Sequence, residues 1–228
     1  MLIFLFTVFE SFLFPPSFFW ESRFNPANLV EKRISATFNI ENKFSIPGLN
    51  KYNLFLQLNN FGFTVVSFGN EFYRENLLGL GLGFEAIKGF HLGLDISLLN
   101  YWIENGNSEY SYTLKVGSSY GKGSFKSSLW FTNLNFPKFS EIDCLPLGYE
   151  LFTYYQGNEQ LSFYFSVRGL EINFPFFNFG LDFHPYQIVK FILGVNTEPL
   201  KPEYGMAIQL GRLELSYSGS NHRQLGLT

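Results

Sequence analysis

Cys144 is the only cysteine in 228 residues, so no intramolecular disulfide can form. A disulfide-stapled secreted scaffold is therefore excluded. Charge is scarce: Asp, Glu, Lys and Arg together make 15% of the chain, and the net charge is −3. No basic footprint exists for nucleic acid, and none is expected as a partner. Long apolar runs are also missing beyond the N-terminus. A helical membrane protein gathers its apolar residues into runs of about twenty. Here they are dispersed, and mean hydropathy is only +0.04.

The one apolar run is Met1 to Phe9, MLIFLFTVF. It lacks a preceding Lys or Arg, Glu10 interrupts it, and no small-residue cleavage site follows. Pro15-Pro16 argues against a spanning helix. Residues 1–20 read as a signal peptide or as an apolar N-terminal segment, and 21–228 as a single domain.

What the chain has instead is aromatic residues, 20% of it, 30 of them Phe. They fall at every second position. In Leu78-Gly79-Leu80-Gly81-Leu82-Gly83-Phe84-Glu85 a large apolar residue alternates with glycine or a carboxylate. The pattern recurs in Phe90 to Leu98 after the short link Ala86-Ile87-Lys88-Gly89. Successive side chains of a strand point to opposite faces, so each segment has one greasy face and one small, polar face. Similar runs follow along the chain, at a spacing of about 10–15 residues per strand, as transmembrane barrels require. They are separated by turn signals such as Asn59-Asn60, Glu104-Asn105-Gly106-Asn107 and Gly157-Asn158. Glu198-Pro199 and Lys201-Pro202 read as a further turn. Asn133 to Pro146 holds two prolines and no period, and reads as the longest loop, extracellular or folded into the lumen.

Alternation alone fits a soluble sandwich as well as a barrel. Two features favour the barrel. The apolar faces are dominated by Phe and Leu, as suits lipid. Tyr52, Tyr101, Trp102, Tyr110, Tyr204 and Tyr217 sit near run ends, as an interfacial girdle requires. The expected fold is all-β, an antiparallel transmembrane β-barrel of about 14 strands in the bacterial outer membrane, with membrane lipid around it.

The polar faces supply the candidate site. Glu85, His91, Asp95, Lys115, Arg168, Asp182, His184, Lys190 and Glu214 are expected to face the lumen and to pair across it, because unpaired charges away from water are costly. Phe55, Phe152 and Tyr154 are expected on the same side, as a greasy path for a hydrophobic small molecule or as simple filling. Asp182 and His184 share a strand face, but no G-x-S-x-G elbow supplies a nucleophile, and no covalent chemistry is expected. Gly81 to Ala86 fits a dinucleotide pattern, yet a strand follows where that motif needs a helix. The histidines stand singly, without metal-ligand spacing, so neither metal nor cofactor is expected.

Three short stretches carry a family resemblance. Phe24-Asn25-Pro26-Ala27-Asn28-Leu29 resembles the N-terminal Asn-Pro-Ala motif of FadL-like hydrophobic-compound transporters and of the PorV/PorQ outer-membrane proteins. The Gly-alternating hairpin Gly79 to Leu98 and the terminal His222-Arg223-Gln224-Leu225-Gly226-Leu227-Thr228 are similar to the same group. The resemblance implies a barrel of about fourteen strands. It also implies passage of hydrophobic molecules or, alternatively, an accessory role with type IX secretion proteins, docked through loops such as Asn133 to Pro146. A soluble lipid-binding β protein is the third reading. The chain departs from the family in being short, in the Phe-rich sequence before the motif, and in ending on Thr228 rather than an aromatic.

Overall fold

The computed structural model describes residues 25–30, 34–41, 48–104, 106, 108–139, 144–171, 175–197, 200–210, 213–222 and 226–227. The N-terminal reading of residues 1–20 lies outside them. A short 3-10 turn, Pro26–Val30, precedes the strands. These are β1 (Ile34–Glu41), β2 (Asn50–Leu58), β3 (Phe61–Gly69), β4 (Tyr73–Ile87), β5 (Phe90–Ile103), β6 (Ser108–Lys122) and β7 (Phe125–Thr132). There follow β8 (Gly148–Gln156), β9 (Leu161–Leu170), β10 (Phe176–Tyr186), β11 (Val189–Thr197), β12 (Leu200–Leu210), β13 (Leu213–His222) and β14 (Gly226–Leu227). Each strand pairs antiparallel with the next, in sequence order, so the architecture is an up-and-down antiparallel barrel.

Burial decides between sandwich and barrel, because the chain is inside out. Leu80, Leu82, Phe84, Leu94, Ile96 and Leu98 are all exposed, whereas Glu75, Gln57, Lys51 and Glu150 are at most 1% exposed. A soluble sandwich hides its Phe and Leu face between sheets. A lipid-facing barrel turns that face outward and keeps its polar residues within. The apolar faces read from the sequence are these outward faces.

The strands meet in two kinds of connection. At one end the links are tight, as at Asn59-Asn60, Lys88-Gly89 and Gly123-Ser124. Asn59 and the glycines Gly89 and Gly123 take positive φ there, the conformation that such turns demand. At the other end lie the longer connections, including 133–147. Short periplasmic turns and longer extracellular loops are the usual polarity of such barrels.

Two local expectations are corrected. Lys201-Pro202 is not a turn: it lies in β12, with Pro202 opposite Val195. Proline is tolerated close to a strand's beginning, where a missing donor costs least. Tyr101 is not in the girdle: it is 7% exposed and points inward, while its neighbour Trp102 points out.

Candidate functional site

Two parts of the chain enter the lumen. At the short-turn end sits the Asn-Pro-Ala segment. Proline suits the first position of a helical turn, since its φ is already set and its missing N–H is not needed. Asn25 caps the turn, its Oδ1 accepting the Ala27 N–H at 2.9 Å while its backbone oxygen accepts the Asn28 N–H at 3.0 Å. The Asn25 Nδ2 donates to the Ser118 carbonyl at 2.9 Å, tying the turn to β6. From β2, Gln57 Nε2 donates to the Leu29 carbonyl at 3.3 Å.

The glycines make room for this turn. Gly83, Gly93 and Gly117 stand opposite one another across β4, β5 and β6. A Cβ on Gly83 would lie 2.8 Å from the Pro26 carbonyl oxygen, and one on Gly93 would overlap the Pro26–Ala27 peptide. The alternating glycines are thus a groove cut for Asn25, Pro26, Ala27 and Leu29, all buried in it.

At the long-loop end, connection 133–147 folds inward. Its foot is pinned to β6: Thr113 Oγ1 donates to Asn133 Oδ1 at 2.7 Å, and the Leu114 N–H donates to Asn135 Oδ1 at 2.9 Å. Beyond the foot, Leu145 packs with the inward-facing Val66, Leu77, Leu99 and Tyr101, and Phe139 packs against the same cluster. The sequence left this loop as extracellular or luminal; Phe139 and Leu145 are luminal, while Leu134 and Phe136 stay exposed.

Charges occupy the wall between. Asp95 stands directly opposite Lys115 on β5 and β6, and Glu150 directly opposite Arg168 on β8 and β9. Lys115 interacts electrostatically with both Asp95 and Glu150. Lys190 Nζ lies 2.9 Å from Asp182 Oδ2, and His184 feels Lys190, Asp182 and Glu214. The pairs Asp95–Lys115, Glu150–Arg168 and Asp182–Lys190 lie on neighbouring strands, where cross-strand neighbours are in reach, while Lys115 feels Glu150 from two strands away and His184 feels Glu214 from three. Glu85 is half exposed beside the β4–β5 turn, where its Oε1 accepts the Gly89 N–H at 3.0 Å and lies 4.0 Å from His91 Nε2. Glu214 is exposed near the start of β13. Both therefore belong to the rim rather than to the middle of the lumen.

Phe55 faces inward on β2, and Phe152 and Tyr154 face inward on β8. Phe55 lies beside the Leu29 side chain at Gly62, beneath the Asn-Pro-Ala turn. On β8, Phe152 stacks on Tyr164 with centroids 6.3 Å apart, and Tyr154 Oη donates to Ser162 Oγ at 2.6 Å. The sequence reading overlooked Glu150, Lys51 and Trp130, all at most 1% exposed inside the wall. Their signal was available: each alternates with an outward residue, Glu150 with Leu151 for example.

A cavity of about 40 Å³ lies between the Asn-Pro-Ala turn and the wall, bordered by Leu29, Val66, Leu77, Asp95, Ser97 and Lys115. That is room for about one water molecule. A larger concavity, about 480 Å³, is lined by Leu181, Phe183, Phe191, Leu193, Met206 and Tyr217. Phe183, Phe191, Leu193, Met206 and Tyr217 are exposed on the outer face, so this is a dent in the lipid-facing wall and not a conduit. Among the described residues no cluster of three metal-ligating side chains occurs.

No family model matches the chain, and no curated protein sequence does either. Solved structures do match. One is titled "CymD monoaromatic hydrocarbon channel", with a TM-score of 0.58 and 9% identity, covering 88% of this chain and 87% of that one. The likeness extends over nearly the whole of both chains. It shows the same barrel fold and, at that identity, nothing finer.

Proposed function

We propose that this chain is an outer-membrane channel for small hydrophobic molecules, of the FadL-like kind. The observation that carries the reading is the apolar patch of Val66, Leu77, Leu99 and Tyr101 inside the long-loop mouth. Inward positions elsewhere on the same strands are polar, Asp95 and Ser97 on β5 and Glu75 on β4. Barrels of this class keep a polar interior, so a greasy interior patch at the outer mouth suits capture of an apolar solute. The barrel likeness to a hydrocarbon channel supports the reading.

The test is uptake in whole cells, because hydrophobic molecules cross plain phospholipid vesicles unaided. Gram-negative cells lacking their own hydrocarbon channels would express the chain, and entry of radiolabelled toluene would be timed. Faster entry than with the empty vector is expected; equal entry sinks the channel reading. The docking alternative draws on the exposed Leu134 and Phe136 of the same loop. Co-purification of secretion proteins without any effect on toluene entry would put that reading in its place.

A further inference from the structure

Phe139 behaves like a ligand. Its ring meets Tyr101 edge-on, with centroids 5.1 Å apart and planes inclined at 68°. That is the arrangement two aromatic quadrupoles prefer. Around it stand Leu99 at 1% exposure, Val66 at 2% and Leu145 at 7%, an apolar cluster that excludes water. We propose that this cluster is a subsite for a single aromatic ring, occupied from within by Phe139, and that a monocyclic aromatic hydrocarbon binds by taking the place of that ring.

Three observations support displacement over fixed packing. The patch is complementary to a ring of phenyl size, since a phenyl group already fills it. Phe139 itself is only half-buried, unlike the residues it covers. It also lies just beyond the last pins of the loop: Asn133 and Asn135 are hydrogen-bonded to β6, the Leu145 N–H donates to the Pro137 carbonyl at 2.8 Å, and Lys138 bridges Cys144. The foot and Leu145 hold the floor of the subsite in place while the Phe139 side chain turns out by rotation about its own bonds. An internal occupant lowers apparent affinity by the fraction of time the site is filled. Removing it must tighten binding, and a larger internal ring must weaken it. The choice of ligand rests on the channel reading; the location and the internal competitor do not.

The test uses the full chain in detergent micelles with 4-fluorotoluene as probe, followed by ¹⁹F NMR. Phe139→Ala should tighten binding about tenfold, and Phe139→Trp should weaken it about tenfold. Bound probe should show contacts to the methyl groups of Leu77, Leu99 and Leu145 in Phe139→Ala, and fluorocyclohexane should bind less well than the aromatic probe. Equal affinity in the three proteins overturns the proposal, as does bound probe without contact to Leu77 or Leu99. Because Phe139 lies in a loop, the barrel should persist in both variants; boiled and unboiled gel mobility verifies it. Toluene entry with unshifted probe affinity leaves the channel and removes this subsite. Shifted affinity without toluene entry does the reverse.

Discussion

Gly93 and Pro26 share one space: a side chain on the first would overlap the carbonyl carbon of the second. The docking of the Asn-Pro-Ala turn thus depends on a missing Cβ on β5. Gly93→Leu should expel the turn from its groove, since overpacking of this kind costs about 1–3 kcal/mol and the turn is the part best able to yield. Ala27, fully buried in the native chain, would then become accessible. In a Cys144→Ser background, an Ala27→Cys thiol should react about tenfold faster once Gly93 is replaced. Gly121→Ala serves as the control, because a Cβ there meets no atom nearer than 4.0 Å. Unchanged labelling in Gly93→Leu would show that the glycines do not hold the turn.

Tyr164 covers Gly180 across β9 and β10, and its Oη donates to the Leu193 carbonyl at 3.2 Å. An aromatic ring laid over a strand glycine replaces the packing the glycine lacks. Gly180→Ala drives a Cβ into that ring and should cost about 1–3 kcal/mol. Tyr164→Leu should rescue it only in part, because the Leu193 carbonyl oxygen would still lie 2.6 Å from the new Cβ. Urea unfolding of the two single variants and the double variant in micelles measures the coupling.

The sequence carried the barrel plainly where one strand face is apolar and the other polar, as from Leu78 to Leu98. It became ambiguous where both faces are apolar. Leu98-Leu99 and Tyr101-Trp102 offer no contrast of their own, so only the parity carried over from Asp95 and Ser97 tells that Leu99 and Tyr101 turn inward. That ambiguity fell on the candidate capture site itself. An interior apolar patch in a polar lumen removes the very alternation that locates the wall. The glycine groove was hidden for another reason. Each glycine was visible, but the alignment of Gly83, Gly93 and Gly117 is a property of strand register. Register depends on turns and pairing across the sheet rather than on any one segment. The loop's inward fold was likewise out of reach, since it rests on Asn133 and Asn135 finding partners on β6.

The Lys190–Asp182 pair gives a prediction about the wall. The Asp182 side chain is 10% exposed and that of Lys190 29%, so the carboxylate has little water of its own. Lys190→Met leaves that charge without its partner, which should cost about 1–3 kcal/mol, less than the full value for a dry pair because the ammonium reaches water. Asp182→Asn combined with Lys190→Met should be milder than Lys190→Met alone, since no lone charge remains. A double-mutant cycle on urea midpoints decides it. A double variant worse than the sum of the singles would mean that the pair is not the unit at risk.

Ile96 tests the outer face. It lies midway along β5, between Leu80 on β4 and Leu114 on β6, and its side chain is 49% exposed. In water an exposed Ile replaced by Arg costs almost nothing. In lipid, an arginine at mid-depth costs about 2–4 kcal/mol, falling to about 0–1 near the interface. Ile96→Arg should therefore impair folding into vesicles far more than Tyr155→Arg, where the exposed tyrosine stands beside the short turn at the end of β8. Urea midpoints in vesicles, with boiled and unboiled gel mobility as the measure of folding, compare the two. If Ile96→Arg folds as readily as Tyr155→Arg, the Phe and Leu face does not lie in hydrocarbon. The inside-out burial would then need another partner to cover it, and the membrane reading would fail.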